Sequence, residues 1–165
     1  MIATAAAVEY MELALAEARA AGAADEVPVG AIVVFENKVV GVGQNRVLRT
    51  NDPTAHAEVL ALRAAAVTLN NYRLTGCILY CTLEPCAMCA GAMLHARIGR
   101  LVFATPDPKA GAAGSVLSVA NHPQLNHRMM VESGLLAEES SELLRGFFRS
   151  KRKVTLDDIE RTIRS

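Results

Sequence analysis

Apolar positions Val8, Met11, Leu15 and Ala18 recur at helical spacing with Glu and Arg between them, and Gly22 follows where a helix would close. The period then changes. After Pro28, two runs rich in β-branched residues, 29–35 and 38–43, flank Glu36-Asn37, a pattern that predicts a hairpin with a short turn. Asp52-Pro53-Thr54 supplies a capping signal and an early-helix proline before an Ala- and Leu-rich stretch that runs to Leu69, so a second helix starts close to His56. Residues 77–82 read as a short strand stopped by Glu84-Pro85, residues 86–97 as a third helix, and 100–105 as a buried strand of the kind found in parallel sheets. A Gly- and Ala-rich loop fills 106–115. Residues 128–132 fit a fifth strand, and 138–152 a helix with Leu143, Leu144, Phe147 and Phe148 as its apolar face.

This order of hairpin, helix, strand, helix, strand, strand and helix is α/β, and strand–helix–strand crossovers imply parallel neighbours. The expected fold is one mixed sheet of roughly five strands with helices on both faces. The 165 residues suit a single domain, taken as 1–153, with 154–165 as a C-terminal tail that has room for a short helix.

Composition narrows the function classes. With 52% apolar and 21% charged residues the chain is not a disordered one, and with seven aromatic residues and no Trp its core must come mainly from Ala, Val, Leu, Ile and Met. Seventeen basic residues balance seventeen acidic ones, which excludes a histone-like binder and requires any nucleic-acid partner to be met by a local patch. The first twenty residues lack a positive start and carry Glu9, Glu12 and Glu17, so they do not read as a signal peptide. The longest uncharged run, 110–127, holds Ser, Asn, Gln, Gly and Pro and would strand polar groups in a bilayer. The expectation is a cytoplasmic protein without membrane contact, whose four cysteines are thiols or metal ligands and not disulfides.

Two short segments carry the chemistry: His56-Ala57-Glu58 at the start of the second helix and Pro85-Cys86-Ala87-Met88-Cys89 at the start of the third. Residues three apart share a helix face, so Cys86 and Cys89 can offer two thiolates to one ion, and a helix N-terminus favours the thiolate form. Two Cys and one His make three protein ligands, which leaves a tetrahedral zinc ion its fourth position for water, the mark of a catalytic site. Zinc lowers the pKa of that water to roughly 7. Glu58 lies two residues after His56, about 200° around the helix axis, and so falls outside the ligand face while still able to reach the water as a proton shuttle.

His-x-Glu followed by Pro-Cys-x-x-Cys is the signature of zinc nucleobase deaminases. The likeness extends to Val27-Pro28-Val29-Gly30-Ala31, Asn45-Arg46, Asp52 through Glu58, Asn71-Tyr72-Arg73-Leu74, Thr82 through Met93, Gly111-Ala112-Ala113-Gly114-Ser115 and Asn126-His127-Arg128, over roughly residues 8 to 150. In these segments the chain resembles the bacterial tRNA-specific adenosine deaminases of the cytidine-deaminase-like superfamily. That resemblance implies a three-layer α/β/α zinc-dependent deaminase domain, usually a homodimer with one zinc per subunit, which turns the wobble adenosine (position 34) of a tRNA anticodon stem-loop into inosine. It assigns His56, Cys86 and Cys89 as zinc ligands, Glu58 as proton shuttle and Asn45 as a contact to the flipped nucleoside. It also places Asp107 and Lys109 on a loop near the substrate, and Phe147, Phe148 and Arg149 on a terminal helix beside the anticodon loop.

Plainer readings stand beside these. A Cys-x-x-Cys alone is often a structural zinc knuckle or a redox pair, which would make the chain a zinc-stabilised binding module. Cys77 and Cys81, four apart in a strand and about 13 Å from one another, are too far apart to share an ion and suit core packing, and His95, His122 and His127 suit structural roles. Asn45 alone reads equally as a turn residue closing the hairpin. Arg145, Arg149, Lys151, Arg152 and Lys153 form either a solvated helix end or an RNA contact, and Phe147 and Phe148 fit a core face as well as a stacking surface. Within the enzyme class, the alternative is a deaminase of a free base or nucleoside, guanine or cytosine type, using the same zinc site.

Overall fold

A computed structural model describes residues 3–163. Its elements are α1 (Ala5–Ala23), β1 (Gly30–Phe35), β2 (Lys38–Gln44), α2 (Val47–Thr50), α3 (Ala57–Leu69), β3 (Ile78–Leu83), α4 (Ala87–His95), β4 (Arg100–Thr105), β5 (Met130–Ser133) and α5 (Ala137–Ile163). The five strands form one mixed sheet in the order β2-β1-β3-β4-β5. β1 pairs antiparallel with β2 and β3, while β3, β4 and β5 run parallel. The expected mixed sheet with helices on both faces is therefore present.

Strand alternation builds the two faces. Ala31, Val33, Leu79, Cys81, Leu101 and Phe103 point into a core shared with α3 and α4, whereas Ile32, Val34, Tyr80, Val102 and Ala104 point into one shared with α1. The hairpin turn has Glu36 at φ 47° and Asn37 at φ 59°, the two positive values that a two-residue connection matching strand twist demands. Cys77 and Cys81 are both buried in the α3/α4 core, and burial raises both thiols above their ordinary pKa.

Three features depart from the expectation. α2 is a single turn where the sequence carries no periodic apolar signal; instead, buried Glu26 accepts its first backbone N–H groups, from Leu48 at 3.2 Å and Arg49 at 2.8 Å. Asp52 caps no helix: its Oδ1 accepts from the Thr54 N–H at 2.8 Å and hydroxyl at 2.7 Å in a local turn, and the N-cap of α3, which starts close to His56 as expected, is His56 itself. The helix expected to end at Arg152 runs unbroken to Ile163, so the separate short tail helix does not exist as such, and residues 164 and 165 lie outside the described ones. Thr155 through Ile163 contain neither Gly nor Pro to stop it.

What fixes the position of α3 is the lack of side chains beneath it. A Cβ on Gly43 would lie 2.1 Å from the carbonyl oxygen of Ala57, and one on Gly41 2.3 Å from that of Ala61. Gly43→Ala should therefore push back the very turn that carries His56 and Glu58, costing about 3 kcal/mol or more. Gly146→Ala, where a Cβ would meet only the tip of Arg149 at 3.9 Å, should gain about 0.5–1 kcal/mol. Denaturant midpoints of the two variants against the parent check both signs.

Candidate active site

Two helix N-termini converge. His56 is the N-cap of α3 and Cys86 the N-cap of α4, and neither side chain makes a capping hydrogen bond. They face one another instead: His56 Nδ1 lies 3.6 Å from Cys86 Sγ and 3.4 Å from Cys89 Sγ. The three donor atoms all fall within 4.8 Å of each other, in a group that could hold a metal ion. Cys89, in the first turn of α4, is buried, while His56 and Cys86 are half-buried at the mouth of a cavity.

The thiols act as a pair. Hydrogen bonds from Cys89 and His56 push Cys86 down to about 3, whereas the proton that Cys89 donates to Cys86, together with burial, drives Cys89 upward. The hydrogen bond to Cys86 also raises His56, against its desolvation. One thiolate is thus already favoured where two helix ends bring partial positive charge.

The cavity has a volume of about 210 Å³, below the roughly 300 Å³ at which drug-sized ligand pockets begin. His56, Glu58, Cys86, Asn45, Asp107 and Glu84 line it. Its two glutamates have opposite environments. Glu58 is 4% exposed, and burial lifts its pKa to about 7. Glu84 is also buried, which works against its charge, yet hydrogen bonds from Ser115, Asp107 and Ala113 outweigh that and hold it below the usual carboxylate value. Carboxylates pushed apart in this way take different roles: Glu58 can exchange a proton near neutrality, and Glu84 stays an acceptor.

The other residues singled out in the sequence are spread around this centre. Asn45 lines the cavity, donating through Nδ2 to the Val27 carbonyl at 3.3 Å, while its buried Oδ1 has no partner among the described residues. Asp107 also lines it, with Oδ1 accepting from the N–H groups of Lys109 and Ala110. Phe147 and Lys151 border a second hollow that shares Val27, Asn45 and His56 with the first. Lys109, Phe148, Arg145 and Arg152 border a third, reached through Val27, Leu83 and Asp107. Arg149 is exposed and joins none of these three walls.

The family model for MafB19-like deaminases matches residues 6–152. The chain belongs to the MafB19-like deaminase family. Within this family setting, it is 50% identical over 149 residues to the tRNA-specific adenosine deaminase of Agrobacterium fabrum, covering 90% of this chain and 96% of the relative. The tRNA-specific adenosine deaminase of Haemophilus influenzae is 49% identical over 146 residues, 88% of this chain and 84% of that one. Among solved structures, one from a study of A-to-I editing by tRNA:A34 deaminases superposes with a TM-score of 0.80 at 48% identity, covering 82% of this chain and 99% of its own. A guanine deaminase from Nitrosomonas europaea gives 0.71 at 29%, over 89% and 86% of the two chains. The family resemblance and the deaminase fold read from the motif segments are borne out.

Sequence reasoning missed two buried glutamates. Glu26 holds α2, pairs with Arg49 at 3.6 Å and borders the second hollow; Glu84 was read only as a strand stop. A carboxylate next to a Cys-x-x-Cys motif, at the end of an apolar strand, is the one local sign that could have marked Glu84.

If the three donors hold zinc, free zinc at about a hundredfold its Kd should stabilise the fold by about 2.7 kcal/mol, an upward Tm shift of about 5–10 °C. Cys86→Ala and Cys89→Ala should abolish that shift and Cys77→Ala should keep it, as scanning calorimetry with metal analysis would report.

Proposed function

We propose that this chain is a zinc-dependent hydrolase that converts adenosine at wobble position 34 of a tRNA anticodon stem-loop to inosine, working in the cytoplasm as a homodimer with one zinc per subunit. The observation that carries the chemistry is the cluster of His56, Cys86 and Cys89 donors, two of which, His56 and Cys86, line the same cavity as the buried Glu58. The donor set fits zinc. Bonds of about 2.0 Å to nitrogen and 2.3 Å to sulfur meeting at a tetrahedral angle place the two atoms about 3.5 Å apart. The separations here are 3.4 and 3.6 Å. When bound, zinc supplies Lewis acidity that makes hydroxide available near neutral pH.

Proton movement falls to Glu58. With a pKa of about 7 it can take a proton from the attacking water and deliver it to N1 as water adds at C6, then take the proton of the resulting C6 hydroxyl and pass it to the amine as the C6–N bond breaks. Adenosine and water thereby give inosine and ammonia. Asn45 holds the nucleoside: a buried, unpartnered acceptor costs about 1–3 kcal/mol, and a donor on the bound substrate removes that cost.

Two features favour a polynucleotide over a free base. The cavity adjoins hollows bordered by Lys109, Arg145 and Arg152 and by Phe147 and Phe148, groups suited to phosphates and to unstacked bases. Identity is also 39–50% over 87–90% of this chain to tRNA-specific adenosine deaminases, against 40% over 64% of it to a Bacillus subtilis guanine deaminase and 29% over 89% to the Nitrosomonas europaea guanine deaminase. Deamination of a free base, guanine or cytosine, is the second reading, favoured by that guanine deaminase's TM-score of 0.71. Among the described residues no helix is long and apolar enough to cross a membrane.

The deciding assay offers an adenosine-34 stem-loop, free adenosine, guanine and cytosine side by side at two salt concentrations. Inosine in the stem-loop, formed faster than any free substrate is deaminated and more slowly at high salt, is the expected result. Salt-insensitive deamination of a free base with no inosine in the RNA would move the assignment to the second reading. Glu58→Gln should keep zinc and fold while lowering kcat by a factor of about 10² to 10⁴. Light scattering should give the mass of two chains.

A further inference from the structure

Glu84 follows the last residue of β3 and precedes Pro85 and Cys86; it is 2% exposed. Its carboxylate is taken up by one loop. Oε2 accepts the backbone N–H of Asp107 at 3.0 Å and the hydroxyl of Ser115, and Oε1 accepts the N–H groups of Ala113 and Ser115, each at 3.0 Å. An ionised carboxylate offers about four lone-pair sites, so these four bonds leave it nothing with which to handle a water or a base.

The surrounding chain reinforces the grip. The Glu84 N–H donates to the Thr105 carbonyl at 2.9 Å, and the Ala112 N–H donates to the Pro85 carbonyl at 2.8 Å. Gly111 lies against the carboxyl group, where a Cβ would come 2.4 Å from Glu84 Cδ and 2.6 Å from the Asp107 carbonyl oxygen. The held segment has no regular secondary structure beyond an isolated bridge between Ala113 and Ser118. Yet it sets Asp107 and Ala110 in the wall of the cavity and Lys109 in the wall of the adjoining hollow.

We propose that Glu84 is a positioning residue for substrate binding: its carboxylate clamps the loop of residues 107–115, so that the loop forms a ready-made wall of the cavity before substrate arrives. The inference rests on the deaminase reading of the cavity given above. Without the clamp, each encounter would pay the entropy of ordering the loop, which weakens binding and leaves the chemistry at Glu58 in place.

The test uses the zinc-loaded full chain. In Glu84→Gln, an amide group of the same size meets four donors with one acceptor fewer. Hydrogen exchange at the Asp107, Ala113 and Ser115 amides should quicken about tenfold or more, as expected for loss of a charged acceptor, while exchange in α3 stays unchanged. KM for the stem-loop should rise about tenfold with kcat within about threefold of the parent. Gly111→Ala should act alike, and the double variant should be little worse than either single one, since both changes undo one device. Unchanged exchange, quickened exchange with unchanged KM, or a loss confined to kcat would each overturn the proposal. Should Glu84→Gln not fold, Ser115→Ala removes a single bond: a smaller rise in loop exchange and in KM supports the clamp, and no change in either refutes it. If the parent deaminates a free base and not the stem-loop, the tRNA reading fails, and the clamp is judged by the same exchange and by KM for that base.

Discussion

The site depends on one constraint: the first turns of α3 and α4 must meet closely enough for an imidazole and two thiols to face each other. A helix start usually spends its N-cap side chain on its own free N–H groups, and here neither His56 nor Cys86 does so. Both side chains are turned toward a shared point. The cost is offset by thiolate charge, which the exposed N–H ends of two helices stabilise together. α4 is set by the strand that feeds it, since only Glu84 and Pro85 separate the end of β3 from Cys86. α3 is set by contact across the sheet, where Gly41 and Gly43 of β2 let its backbone approach as no side chain would permit.

The same geometry separates the two cavity glutamates. Glu58 sits inside the first turn of α3 under near-complete burial, so its charged form is disfavoured and its proton is available near neutrality. Glu84 is equally enclosed but surrounded by donors, so its charge persists. Under the roles proposed above, exchanging the two environments would leave neither a proton carrier nor a clamp. Burial alone therefore says little about a carboxylate's role; the number of donors facing it decides.

Much of this was legible in the sequence because it is local. His-x-Glu and Cys-x-x-Cys each fit within one turn, and the strands announce themselves as β-branched and apolar runs whose alternate side chains the two cores then take up on opposite faces. What escaped depends on partners far along the chain. Glu26 and Glu84 act on backbone N–H groups about 22 and 23 to 31 positions away, a relation that leaves no spacing pattern to find. α2 exists through such a contact and not through its own propensity. The run of α5 past Arg152 escapes for a different reason: the apolar face of Leu143, Leu144, Phe147 and Phe148 gives way to a run of charges, yet no residue beyond it breaks a helix.

The charge balance also gains meaning at this level. Zero net charge gives the molecule no long-range attraction for RNA, so any such contact must be made by cations placed beside the cavity. Two of these carry their own acids: Arg145 pairs with Glu138 at 2.7 Å, and Lys151, which also lies over the Phe147 ring, pairs with Asp25. Exposed pairs of this kind are worth about 0–1 kcal/mol, so a phosphate can displace the carboxylate at small cost. Until then they hold the long side chains near the hollows and mute their field toward anions that do not fit. Under the proposed RNA reading, selectivity comes from shape first: a polyanion gains the cations only if it also places one base in the cavity, where Asn45 Oδ1 can accept from it and Glu58 can exchange a proton.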